Sequence, residues 1–218
     1  AIEAVLEDAG LKKEDMAFTL ATGYGRTSLM DGIADKQMSE LSCHAKGAYF
    51  LFPKVHTVID IGGQDVKVLR VEDGVMTNFQ MNDKCAAGTG RFLEMMARTM
   101  EMSLDDMGKA GLSYKEDITI SSMCTVFAES EVVSLIAQNK ATDDIVHGLN
   151  KAVASKTAAL AKRVGGEERY MMTGGVSKNQ GLVKTLEEKL GTTLVISDKA
   201  QLCGALGAAL FAKDMVTE

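Results

Sequence analysis

Asp60-Ile61-Gly62-Gly63-Gln64-Asp65 places two carboxylates on either side of a glycine pair and a glutamine. Glycine accepts positive φ and lets the backbone come close to a ligand. Successive amides in such a turn form an anion nest. A carboxylate beside them can hold Mg²⁺, directly or through water, and Gln64 could orient an attacking water. The same six residues also fit a plain β-turn with an incidental acid. A second glycine pair lies in Thr173-Gly174-Gly175-Val176-Ser177-Lys178-Asn179-Gln180. It follows a strand pattern and opens a helix pattern, and Ser177 with Gln180 fits a capping box. Here the glycines serve either close approach of an adenosine or tight packing of helix on strand. Neither segment is a Walker A loop or a dinucleotide fingerprint.

The other reactive side chains are Cys43, Cys85, Cys124 and Cys203. None forms a C-x-x-C pair, and each taken alone reads as a small buried hydrophobe. His44, His56 and His147 have no ligand spacing and read as surface or core residues. Glu129 and Glu131 read as caps or flanks of a helix start. The 14 methionines read as core filler.

The elements that must position these residues follow from periodicity. A helix is predicted over 1–10, with Ile2, Val5, Leu6 and Ala9 on one face and Gly10 ending it. Phe18–Ala21 reads as a short strand, and 39–51 as a helix that Pro53 breaks. Val58–Ile61 is a strand ending at the first glycine pair. Val66–Val71 and Val75–Met81 read as a hairpin around Glu72-Asp73-Gly74. Gly88-Thr89-Gly90 opens a helix, Ile118–Ile120 is a short apolar run, and helices follow at about 126–139 and 143–164. The last third alternates: strand at Tyr170–Met172, helix at 178–190, strand at Thr193–Ile196, helix at 200–213. That alternation predicts an α/β fold with a central sheet.

Composition narrows the partners. Apolar residues make up 46% of the 218, and the net charge is −6. No basic stretch is dense enough to follow a phosphate backbone, so no nucleic-acid partner is expected. No apolar run approaches the roughly 20 residues that cross a bilayer, so no membrane partner is expected. With no signal peptide, a cytoplasmic location is expected. The chain opens inside a helical pattern with no cap before it, which predicts a fragment of a longer protein.

Together the two glycine turns resemble the phosphate and adenosine motifs of the actin, sugar kinase and heat-shock ATPase superfamily. The small-residue run from Gly204 to Ala209 is similar to that superfamily's second connecting helix. The superfamily's early aspartate and glycine hairpin has no counterpart before residue 50. The segments Asn82–Glu94, around Cys85, and Ser121–Glu131, around Cys124, more closely resemble the activators of 2-hydroxyglutaryl-CoA and related dehydratases, and the ATPase subunits of benzoyl-CoA reductase. That likeness runs from about residue 18 to 211.

The resemblance implies two ribonuclease-H-like lobes, the first truncated at its N-terminus. Residues 1–53 plus 204–218 would form the incomplete first lobe, and 54–203 the second. It implies ATP and Mg²⁺ as ligands, with Asp60 managing Mg²⁺, Gln64 the water, Gly62 and Gly63 the phosphates, Gly174 and Gly175 the nucleoside, and Asp65, Asn179 and Gly204 further ATP-binding residues. It further implies one [4Fe–4S] cluster shared across a homodimer, with Cys85 and Cys124 as each chain's two ligands. Four thiolates make such a site, and a two-fold axis completes two halves. Each cysteine precedes a predicted helix start, near Gly90 and near Phe127, whose amides would favour thiolates. Cys43 and Cys203 stay buried thiols. The implied activity is ATP-driven transfer of one electron, received from reduced ferredoxin or flavodoxin, to a dehydratase component. A cluster-free small-molecule kinase and a non-catalytic, actin-like assembly module are the alternatives.

Overall fold

The computed structural model describes residues 2–121 and 124–217. Ala1, Ser122, Met123 and Glu218 lie outside the described residues, and with them part of the segment around Cys124.

A five-stranded sheet organises the chain. Its strands are β3 (Thr57–Ile61), β4 (Val66–Glu72), β5 (Val75–Asn82), β6 (Tyr170–Thr173) and β7 (Leu194–Val195), in the spatial order β5-β4-β3-β6-β7. β4 runs antiparallel to both its neighbours, while β3, β6 and β7 are parallel. This meander followed by parallel crossovers is the ribonuclease-H-like arrangement. The hairpin turn between β4 and β5 carries Asp73 and Gly74 at φ 50° and 79°, the paired left-handed conformation that two-residue hairpins favour.

Alternate residues of a strand point to opposite faces, and in β3, β4 and β6 both faces are buried. Ile59, Ile61, Val68 and Met172 face a large core with Phe92, Leu93 and Met96 of α3 (Gly90–Thr99), Ile145 and Leu149 of α6 (Thr142–Val164), and Leu182 of α7 (Gln180–Leu190). Val58, Leu69, Val71 and Met171 face a smaller core with Ala45 and Ala48 of α2 (Glu40–Leu51) and Cys203 of α8 (Cys203–Thr217). Asp60 and Lys67 share the parity of this second face, and so lie on the α2 side.

The α2–α8 crossing depends on glycine. A Cβ on Gly47 would sit 2.1 Å from the Cys203 carbonyl oxygen, and one on Gly207 would sit 1.8 Å from that of Cys43. Backbone cannot yield as a flexible side chain can. Gly207→Ala should therefore cost about 3 kcal/mol or more, at the upper end for overpacking. Thermal melting would read this as a fall in the midpoint, and an unchanged midpoint would mean that the helices do not cross here.

Several expectations need correction. The first strand is only Leu20–Ala21 (β1), because Phe18 and Thr19 lie outside its two-residue ladder. β1 pairs in parallel with β2 (Lys36–Gln37), two exposed residues whose sequence gave no strand pattern. The apolar run Ile118–Ile120 lies outside the sheet; both isoleucines insert into the larger core, where Gly148 of α6 leaves them room. An unread helix, α4 (Leu104–Ala110), starts at Ser103, whose Oγ accepts from the Asp106 amide. The expected Ser177–Gln180 capping box does not form. Ser177 Oγ instead donates to the Gly174 carbonyl within a short 3₁₀ turn, and Asn179 caps α7, its Oδ1 accepting from the Leu182 amide at 2.9 Å. The remaining helices are α1 (Ile2–Asp8), which buries no side chain, and α5 (Thr125–Ala137). Gly10 follows α1 in the left-handed region at φ 66°. No helix among the described residues is long and apolar enough to cross a membrane.

Candidate functional site

The two glycine turns meet. β3 and β6 are parallel neighbours, with Asp60 paired to Thr173 at their C-terminal ends, so the turns that follow lie side by side. They flank a cleft of about 360 Å³ lined by Gly63, Gly90, Gly175, Asn179 and Gln201, with Leu104 and Asp105 of α4 on its far side. The ends of parallel strands are where open α/β sheets bind ligands. A wider, shallower cavity of about 600 Å³ lies around His56, Glu167 and Arg169. It is at the opposite ends of the same strands and holds neither glycine turn.

The first turn is held from both sides. The Gly62 amide donates to the Asp65 carbonyl at 3.0 Å. The Gly62 and Gly63 carbonyls accept from the amides of Gly90 and Arg91 at 2.8 and 3.0 Å. Among the described residues no acceptor engages the amides of Gly63 and Gln64. Gly174 stands at φ 84°, and a Cβ there would lie 2.3 Å from the Ile61 carbonyl oxygen and 3.0 Å from Asp60 Oδ1. Only glycine lets the second turn approach the first so closely. Gly204 is set back from the cleft against the ring of His44, where a Cβ would be 3.0 Å from Cε1.

Behind the turns lies a buried charge network. Asp60 Oδ1 accepts from Thr173 Oγ1 at 2.8 Å and lies 3.3 Å from His44 Nε2. Asp60 Oδ2 is 3.4 Å from Lys67 Nζ. That ammonium also reaches Asp65 Oδ1 at 2.7 Å and Glu40 Oε1 at 2.8 Å. Tyr24 donates its hydroxyl to the other oxygen of Asp65 at 2.6 Å. Burial opposes ionisation of Asp60, but the charge and hydrogen bond of His44 and the charge of Lys67 outweigh it and hold the carboxyl well below its usual range. Burial likewise opposes charge on His44 and Lys67, yet the Asp60 hydrogen bond and charge carry His44 above its ordinary value. The charge of Asp60, with the Asp65 and Glu40 hydrogen bonds, does the same for Lys67. The Tyr24 phenol, bonded to Asp65, is pushed up to about 12. Oδ1 of Asp60 is thus taken by Thr173 and His44, while among the described residues Oδ2 meets Lys67 alone at 3.4 Å.

Sequence reasoning named Asp60 and Asp65 but missed Glu40, His44, Lys67 and Tyr24. From the sequence alone His44 reads as a surface or core residue. Lys67 had a usable sign: a lysine inside a strand whose neighbours Val66, Val68 and Leu69 are all buried needs a buried partner. Gln201 and Asp105 carried no such sign.

The cysteines divide into two pairs. Cys43 and Cys203 are fully buried between α2 and α8, and burial raises both thiols, Cys203 to about 12. Cys85 and Cys124 are half-buried and free. Cys85 sits on the rim of the larger core, its carbonyl accepting from Asn82 Nδ2 at 2.9 Å. Cys124 is the N-cap residue of α5, with extended backbone and a side chain that caps no amide. One expectation changes here: the first amides of α3 are spent on Gly62 and Gly63, so they do not serve Cys85. The donor type fits half of a four-thiolate site: two free, half-buried thiols, neither of them fully enclosed in the core. Glu129 and Glu131 hold their neighbourhood, accepting from Thr99 Oγ1 at 3.2 Å and the Ser121 amide at 2.6 Å.

A ribonuclease-H-like lobe with two glycine turns converging on one cleft defines an ATPase of the actin-like fold. The chain belongs to the BadF/BadG/BcrA/BcrD ATPase family, whose profile matches residues 1–212. It is 60% identical over 211 residues to the (R)-2-hydroxyglutaryl-CoA dehydratase activating ATPase of Acidaminococcus fermentans, covering 97% of this chain and 81% of that protein. The crystal structure of component A of that organism's (R)-2-hydroxyglutaryl-CoA dehydratase superposes with a TM-score of 0.96 at 58% identity, over 100% of this chain and 83% of that one. The activator of the 2-hydroxyisocaproyl-CoA dehydratase from Clostridium difficile, solved with bound ADPNP, gives 0.94 at 46% identity, over 99% and 80%.

Proposed function

We propose that this chain is an ATP-hydrolysing activator that passes single electrons to a 2-hydroxyacyl-CoA dehydratase, working as a homodimer with one [4Fe–4S] cluster between the subunits. The observation that carries the nucleotide part is the convergence of Gly63 and Gly175 on one cleft. The ADPNP bound to the C. difficile activator supports the same reading.

In this reading the amides of Gly63 and Gln64 receive phosphate oxygens, and Gln64 orients the attacking water. Gly174 and Gly175, with Asn179 and Gln201 on the cleft wall, admit the nucleoside. Gly204 serves at one remove, giving His44 its place behind the site. Glu40, Asp60 and Asp65 bring three negative charges against Lys67 and the His44 ring. The surplus favours Mg²⁺ with its water shell on the cleft side of the turn. Residues 1–53 plus 204–218 act as the first lobe and 54–203 as the second, with α2 and α8 seated on the second lobe's sheet.

Cys85 and Cys124 supply two thiolates, and the second copy supplies two more. The bound cluster would store one electron, delivered by reduced ferredoxin or flavodoxin. The working site is cytoplasmic.

Iron and sulfide analysis of anaerobically purified protein tests the proposal. About four of each per dimer, with ATP hydrolysis, is the expected result. A colourless protein releasing ADP only with a small-molecule acceptor would instead identify a kinase.

A further inference from the structure

Glu40, His44 and Asp60 offer ligand atoms all within 4.8 Å of one another, a spacing that could hold a metal ion. A cation already stands among them. Lys67 Nζ lies within 3.4 Å of three carboxylates drawn from three elements: Glu40 at the start of α2, Asp60 at the end of β3, and Asp65 on the glycine turn. Its side chain is 4% exposed. Burying an ammonium costs several kcal/mol unless partners offset it. A methionine of similar length would fill the same space without that cost.

The geometry couples this ammonium to the turn. Lys67 holds Asp65 Oδ1, and Tyr24 holds Oδ2. The Asp65 carbonyl closes the turn on the Gly62 amide. Asp65 Oδ1 also lies where a Cβ on Gly62 would meet it at 3.3 Å. Moving Asp65 therefore moves the turn that presents Gly63 to the cleft. Through Glu40 the same ammonium ties the turn to α2, and so to the α2–α8 crossing.

We infer that Lys67 is a positioning residue for ATP hydrolysis: a built-in counter-cation that fixes the phosphate turn against Asp60 and α2, in place of a metal ion. This role rests on the nucleotide site proposed above.

The test uses K67M and the charge-balanced double variant D65N/K67M in the complete chain, with wild type beside them. ATP hydrolysis, ADP affinity, thermal melting and amide exchange over residues 62–66 are read on each. K67M should lose about ten-fold or more in kcat, with ADP affinity changed far less, because positioning acts on the reacting geometry. Exchange at 62–66 should rise by about ten-fold, since the turn loses its anchor. The double variant should regain melting temperature while staying slow.

Wild-type kcat in either variant would overturn the inference. So would a double variant that regains both melting temperature and rate, since Lys67 would then be a structural counter-ion only. If K67M does not fold, the double variant decides by the same two outcomes. If wild type itself hydrolyses no ATP, the functional reading falls, and exchange at 62–66 alone then decides on Lys67: faster exchange keeps its hold on the turn, and unchanged exchange removes it.

Discussion

Asp60→Asn should slow ATP hydrolysis about a hundred-fold, the scale on which one preorganised electrostatic group acts in a water-poor site. The group is ionised at every working pH, because His44 and Lys67 hold its carboxyl far below the ordinary range. Its charge acts on the cleft from close by. Gly174 of the second turn packs against it, and Gly62 and Gly63 follow it after Ile61. Asparagine keeps the shape but removes the charge. It also turns an amide donor toward Thr173, His44 or Lys67 where an acceptor stood. Lys67 would still have Asp65 and Glu40, so the stability cost should stay near that of one buried polar mismatch, about 1–3 kcal/mol. Iron content should not change, because neither Cys85 nor Cys124 belongs to this network. A kcat measurement beside an iron assay separates these effects, and unchanged turnover would remove Asp60 from the site.

Much of this site was legible in the sequence because it lies where the chain changes direction. Glycine pairs after apolar strand runs mark both turns, and the parallel pairing of β3 with β6 brings them together. The hairpin was readable from Glu72-Asp73-Gly74, and the larger helices from their periodicity. What stayed hidden depends on distance in the chain. Lys67 stands out in an apolar strand, but its partners Glu40 and Asp60 stay hidden until β3 and β4 pair and α2 folds over them. His44 looks like a core residue until its Nε2 meets Asp60, sixteen positions on. β2 could not be read from Lys36-Gln37, since a two-residue exposed strand has no period to show. Asn179 was placed at the site, and it lines the cleft, but its Oδ1 is spent on capping α7. A cap and a ligand contact look the same in one dimension.

Cys85→Ser and Cys124→Ser should each abolish the visible absorption of protein reconstituted with iron and sulfide. In the proposed shared cluster this effect is larger than a single substitution would produce in a self-contained site. Every proposed dimer built from one variant would lack two of four thiolates, and a serine hydroxyl at neutral pH does not replace them. Folding should survive. Cys124 caps no amide with its side chain, and Cys85 lies on the rim of the core rather than inside it. Melting midpoints measured without the metal should therefore match wild type. Cys43→Ser and Cys203→Ser are the internal controls, and they should behave in the opposite way. Both sulfurs are fully buried, and Cys203 donates to the His44 carbonyl at 3.6 Å. A hydroxyl there must be desolvated beside the α2–α8 crossing, which should lower the melting point while colour is kept in the folded fraction. Mixing the Cys85→Ser and Cys124→Ser chains should not restore colour, because the mixed dimer again holds only two thiolates. Full colour in either single variant, or recovery on mixing, would mean that the sulfurs do not act as halves of one cage.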